Sequence, residues 1–151
     1  MQSDQKKEEE EQEMKYYAVF DTNVLVSSIL SRRMDSATVK VVDAIITGEI
    51  IPLYNQEILE EYEEVLHRKK FALSEESIRK VLTIIRQFGL AVNPGPTGEV
   101  LVDMDDLVFY EVVMEKREDG AYLITGNIRH FPKREYIVTP SEMVAIMEGK
   151  Q

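Results

Sequence analysis

Three stretches of this chain set acidic side chains against apolar ones: "FDTN" at 20–23, where an apolar segment has to turn, "EILEEYEEVL" at 57–66 and "DMDD" at 103–106. Grouped carboxylates suit a hard divalent cation, magnesium or manganese, which takes oxygen ligands and keeps waters open to activation. The chain has no cysteine and two histidines, so thiolate sites and a His-rich zinc centre are excluded and any metal would be held mainly by oxygen.

Each group also has a plainer reading. Asp21 stands between the apolar run "YYAVF" (16–20) and the helical "NVLVSSILSRR" (23–33), where an Asp can cap a helix. On a wheel of about 100° per residue, Ile58, Leu59, Tyr62, Val65 and Leu66 form one apolar stripe; Glu60 lies opposite it, while Glu61 and Glu63 occupy its two margins. Asp103, Asp105 and Asp106 precede a helix that is apolar from Leu107 to Met114 except for Glu111. One Asp is enough to cap that helix and favour its dipole, whereas three acids in four residues repel unless a cation bridges them. Glu111, within an apolar helix, must find a partner or a gap in the packing.

These residues need elements to position them. Strands are expected at 16–20, "IIPLY" 50–54, "GLAVN" 89–93, "AYLIT" 121–125 and "EYIVT" 135–139. Helices are expected between them: one capped by Ser36 and ending near Gly48, "QEILEEYEEVLHRKK" after Asn55, "EESIRKVLTIIRQF" after Ser74 and stopping at Gly89, one over about 105–117, and a last one opened by Pro140. Pro52 hints at an edge strand or a bulge. Strands alternating with helices imply right-handed crossovers, hence a three-layer α/β/α sandwich with a mainly parallel sheet. In such sheets ligands gather beyond the carboxyl ends of the strands, where strand order reverses. Asp21 follows the first strand, and "TGN" (125–127) follows the fourth.

With 151 residues, one domain is expected over 15–149, preceded by a disordered acidic tail at 1–14. The net charge is −10, and residues 1–13 carry six acids against two bases. Bulk charge therefore does not advertise a nucleic-acid binder, and contact with one would rely on a local rim drawn from Arg32, Arg33, Lys69, Lys70, Arg129, Lys133 and Arg134. No stretch reaches membrane-span length and no signal peptide opens the chain, so a cytoplasmic protein with no membrane partner is expected. A haloacid dehalogenase type of phosphatase would want an Asp where Asn23 stands, and a response-regulator receiver would want a phospho-accepting Asp where the third strand leads into "NPGPTG".

Taken in order, "VFDTNVLVSSIL", "EILEEYEEVL", "DMDDLVFYEV" and "AYLITGNIRHFP" resemble the PIN domain family of metal-dependent ribonucleases, and more narrowly its VapC-like branch, described as toxins of toxin–antitoxin systems. The resemblance implies Asp21, Glu61 and Asp106 as catalytic metal ligands, supported by Thr22, Asn23 and Thr125. The family's fourth acid position falls on Asn127, which removes a charge; Asp103, Asp105 and Glu111 are further candidate ligands, and Arg129 and His130 are candidates for contact with RNA. It also implies magnesium or manganese as cofactor, RNA as substrate, a cognate antitoxin as partner, and a homodimer formed through helix surfaces. The rival reading, from a different class, is a catalytically weak PIN-like module that only binds an antitoxin or RNA.

Overall fold

The computed structural model describes residues 15–149; the expected acidic tail at 1–14 lies outside them. Five parallel strands, β1 (Tyr16–Phe20), β2 (Ile50–Tyr54), β3 (Leu90–Ala91), β4 (Tyr122–Ile124) and β5 (Ile137–Val138), form one sheet in the order β3-β2-β1-β4-β5. Among the described residues six α-helices accompany them: α1 (Thr22–Leu30), α2 (Ala37–Thr47), α3 (Gln56–Leu66), α4 (Glu75–Phe88), α5 (Leu107–Glu115) and α6 (Pro140–Met147). α5 packs on β1, β2 and β4, and α2 packs on β2, α1, α4 and α6. Central strands covered by helices read as unbroken apolar runs, and Ala18, Val19 and Phe20 are fully buried.

Local chemistry sets most boundaries. Ser36, Asn55 and Ser74 accept from the backbone N–H three residues on, and Thr139 forms a reciprocal capping box with Glu142 around Pro140. Gly48 ends α2 in the left-handed conformation, with φ 86°.

Three expectations are corrected. α3 stops at Leu66 rather than running to Lys70, because the His67 ring Nδ1 meets the Glu63 carbonyl and Nε2 meets Glu75 at 2.8 Å, turning the chain into α4. β3 is two residues long, not five, since it pairs only with Leu53 and Tyr54. Pro52 lies in an interior strand with no bulge, paired opposite Ala18. Tyr54 accepts from Val92 on the β3 side, and alternate residues of a strand point the same way, so the missing N–H of Pro52 faces β3 just before that ladder begins.

The chain leaves β1 toward β2 and β3, then returns to add β4 and β5 on the other side. Strand order therefore reverses between β1 and β4. At that point the Asp21 N–H donates to the Ile124 carbonyl over 2.9 Å, so the carboxyl ends of the two strands share one lip.

Candidate active site

Asp21 occupies the N-cap position of α1, yet its side chain makes no cap hydrogen bond. The carboxylate turns to the β4 end instead. Its Oδ2 accepts from the Thr125 hydroxyl at 2.7 Å and from Asn23 Nδ2 at 3.3 Å. Asn23 Oδ1 in turn accepts from the Gly126 N–H at 3.1 Å, and the Thr125 hydroxyl accepts from the Asn127 N–H at 2.9 Å. A Cβ on Gly126 would lie 3.3 Å from Asn23 Oδ1, so a bare backbone suits this clasp. Asp21 is only 6% exposed, and burial raises its pKa, with the Thr125 hydrogen bond pulling the other way. Thr22 Oγ1, the next residue's hydroxyl, is buried with no hydrogen-bond partner among the described residues.

The acids before α5 divide their work. Asp103 is the cap: its Oδ1 accepts from the Asp105 N–H at 3.0 Å, within a short 3₁₀ turn over Met104–Asp106 that precedes α5 and replaces the expected helical start at 105. Asp106 sits at the N-cap position of α5 without capping it. Burial first, then the charges of Asp21 and Asp103, push its pKa up to about 6. His130, on a 3₁₀ turn over Ile128–His130 that follows β4, brings Nδ1 within 3.5 Å of Asp106 Oδ2.

Glu61 is half-buried while Glu60 and Glu63 are exposed. Burial raises its pKa, and Glu64, Asp105 and Asp103 raise it further. The neighbouring Tyr62, fully buried, donates its hydroxyl to the Phe20 carbonyl, the last of β1. That bond fastens α3 beside the strand that delivers Asp21. Reading the sequence placed Tyr62 only in the apolar stripe; the available signal was that a buried tyrosine hydroxyl needs a partner.

The residues singled out thus fall into groups. Asp21, Asp106, Thr125, Asn23 and His130 meet at the switch point. Glu61 faces Asp103 and Asp105 at its margin, and Asn127 and Arg129 are exposed on the β4 lip. Glu111 is employed elsewhere: its Oε2 accepts from both the N–H (2.6 Å) and the hydroxyl (3.0 Å) of Thr97, holding the 92–101 loop onto α5. Among the described residues, no three His, Asp or Glu side chains converge closely enough to hold an ion together. In chemistry the Asp21–Asp106 donor set fits a hard cation. It is all oxygen, the charge of Asp21 raises the pKa of Asp106, and the hydroxyl of Thr22, next to Asp21 in sequence, is buried without a partner among the described residues.

The fold is an open parallel α/β sheet with a buried Asp21 and a half-buried Asp106 at its switch point. The PIN domain model matches residues 17–129, and the chain belongs to the PIN domain family. PIN domains are generally nucleases that use divalent metal ions. The chain is also similar to the uncharacterized protein MJ1680 of Methanocaldococcus jannaschii, 30% identical over 122 residues that span 79% of this chain and 76% of that protein. No solved structure gives a significant match. No helix among the described residues is long and apolar enough to cross a membrane.

Proposed function

We propose that this protein is a magnesium- or manganese-dependent endoribonuclease, the toxin of a toxin–antitoxin pair, whose catalytic carboxylates are Asp21 and Asp106 with Glu61 at the margin. The observation that carries this reading is that Asp21 and Asp106 each stand at the head of a helix, in the position where an Asp ordinarily caps, and neither does so. Both carboxylates are left for the switch point, where burial raises the pKa of each and the charges of Asp21 and Asp103 raise that of Asp106 further, a setting that favours a bound cation.

Asp21 and Asp106 would hold the divalent ion, with Asn127, Asp103 and Asp105 within the same lip. Bound there, the ion supplies an activated water for attack on an RNA phosphorus and neutralises charge on the phosphate. The chain's own groups do the positioning. Thr125 and Asn23 fix the Asp21 carboxylate, Tyr62 fixes the helix that carries Glu61, and His130 stands beside Asp106 where a phosphate oxygen could meet it. A cognate antitoxin would cover this acidic lip with a basic side chain, a charge-assisted contact.

One observation favours the second reading, a catalytically weak binding module: Glu61 is grouped with Asp103 and Asp105 rather than with the Asp21–Asp106 pair. Manganese-dependent cleavage of a panel of single-stranded and structured RNAs separates the two. Cutting by the wild type that is lost in both Asp21→Asn and Asp106→Asn is expected. A folded, manganese-saturated wild type that cuts nothing while retaining RNA binding would turn the assignment to the binding module.

A further inference from the structure

Residues 1–13 carry six acids against two bases, and five of those acids fall within Glu8–Glu13. The rest of the chain is acidic too, the whole having a net charge of −10. Over most of that surface such a segment meets like charge, so it can settle only where the fold leaves cations that no carboxylate has claimed.

Many cations are already matched. Arg33 pairs with Asp35, Arg68 with Glu64 and Lys116 with Asp119. Arg79 and Arg86 share their cavity with Glu63 and Glu75, and Lys40 shares its own with Asp43 and Glu49. The stretch after β4 differs. Arg129, Lys133 and Arg134 line one cavity of about 290 Å³ that has no carboxylate in its wall. All three are exposed, and none has a carboxylate within ion-pair reach among the described residues, the adjacent Glu135 included.

The acidic segment enters the fold close by. It leads through Lys15 into β1, and only β4 separates β1 from β5. Two strand spacings amount to roughly 10 Å. The Tyr16 ring meets the Tyr122 ring at the start of β4, with centroids 6.3 Å apart, and Leu123 donates to the carbonyl of Tyr136 just before β5. The Arg134 carbonyl accepts from the Ile137 N–H at 3.1 Å, so Arg134 lies at the same end of the sheet as Tyr16. At about 3.4 Å per extended residue, Glu13 reaches roughly 7 Å from Lys15 and Glu8 roughly 24 Å. That span takes in Lys133 and Arg134, which share their cavity with Arg129.

We propose that the acidic segment Glu8–Glu13 lies across Arg129, Lys133 and Arg134 of its own chain, as an intramolecular cover over this patch. Linkage through a few residues gives the segment an effective concentration on the order of millimolar, so weak charge pairs suffice. The contact stands whether or not the protein cleaves RNA. Arg129 precedes His130, which approaches Asp106 at 3.5 Å, so the covered patch borders the candidate active site, and any other polyanion drawn to it must first displace the cover.

Carbodiimide coupling, which joins a carboxylate to an amine in contact with it, tests this on the full chain. The monomeric band is digested and mapped by mass spectrometry after coupling at about 20 mM and about 500 mM potassium chloride, between which the screening length falls about fivefold. At low salt, links from Glu8–Glu13 to Lys133 should exceed those to Lys69 and Lys70 by at least about fivefold, and high salt should remove them. Arg129→Lys and Arg134→Lys keep the charge and supply an amine, so each should add a link at its own position, whereas Arg33→Lys should not. Dextran sulfate, a polyanion without carboxylates, should suppress the links at low salt. Thermal melts check that each variant keeps the fold. Links made chiefly to Lys69 or Lys70, or none beyond Lys6, Lys7 and Lys15, would overturn the proposal. So would links that persist under saturating dextran sulfate, and links to Lys133 confined to a dimeric band, the last pointing to the acidic segment of a second copy.

Discussion

The Thr125 hydroxyl donates to Asp21 Oδ2 over 2.7 Å, joining the end of β4 to the end of β1 across 104 positions of sequence. Both residues are buried, so this bond settles how comfortably the Asp21 carboxylate carries its charge. Thr125→Val keeps the shape and removes the donor. Stability at pH 7 should fall by about 1–3 kcal/mol, the cost of leaving a buried acceptor short of a partner. Asp21 already has a raised pKa and would be raised further, so the loss should shrink as acid protonates it. Urea unfolding at pH 7 and pH 4 checks this; an equal loss at both would deny Asp21 any part in it.

Asp106 gives the opposite lever. Its pKa near 6, against an ordinary value of 3.8, means that between about pH 4 and 6 the folded protein binds more protons than the unfolded chain. Stability therefore falls as pH rises through that window. Asp106→Asn removes the term and should make the chelator-treated protein more stable at pH 7 by roughly 1–2 kcal/mol, with the gain vanishing near pH 4. Denaturation curves that keep the wild-type pH dependence in the variant would contradict it.

If Asp21 and Asp106 hold a divalent ion as proposed, manganese should raise the melting temperature at neutral pH, because a ligand of the folded state alone stabilises it. Protons compete for the same oxygens, so the shift should weaken as pH drops below about 6. Asp21→Asn and Asp106→Asn should each lose it, and Glu60→Gln, an exposed neighbour on α3, should not. A shift that survives in both Asp variants would place the ion elsewhere.

Tyr62→Phe removes one hydroxyl from a fully buried ring and frees the Phe20 carbonyl. A stability loss of about 1–2 kcal/mol is expected. If the tether also positions Glu61, kcat for RNA cleavage should fall several-fold with KM little changed. A stability loss with unchanged kcat would make Tyr62 structural only.

What could be read from the sequence depended on how local the deciding physics was. Ser36, Asn55, Ser74 and Gly48 mark helix ends by chemistry confined to one turn, and the structure ends those helices where they stand. Leu66 ends α3 early because of His67 and Glu75, eight residues apart, and no window over the helix could show that. The site divides in the same way. That Asp21 lies at the carboxyl end of the first strand follows from its place in the chain. That its carboxylate is held by Thr125 and Asn23 rather than capping α1 depends on β4 lying beside β1, which is a matter of topology. Glu111 is the clearest case. Its isolation in an apolar helix signalled a task, but the task is to hold Thr97, fourteen residues upstream on a loop with no periodicity.

Glu111→Ala should therefore act on that loop. Backbone amides near Thr97 should exchange hydrogen faster and the "PGPTGE" segment should become a protease site, with the core little affected, since α5 stays packed through Phe109, Val112 and Val113. Exchange mass spectrometry measures it; unchanged protection at Thr97 would show that the loop is held by other contacts.

Both outer strands of the sheet, Leu90–Ala91 and Ile137–Val138, are two residues long. So brief a border offers an incoming strand almost nothing to template on, which guards the molecule against sheet-to-sheet fusion and the fibres that follow from it. Any companion this protein recruits must then be recognised by side chains, and such recognition can change by single substitutions while the sheet beneath is left as it is.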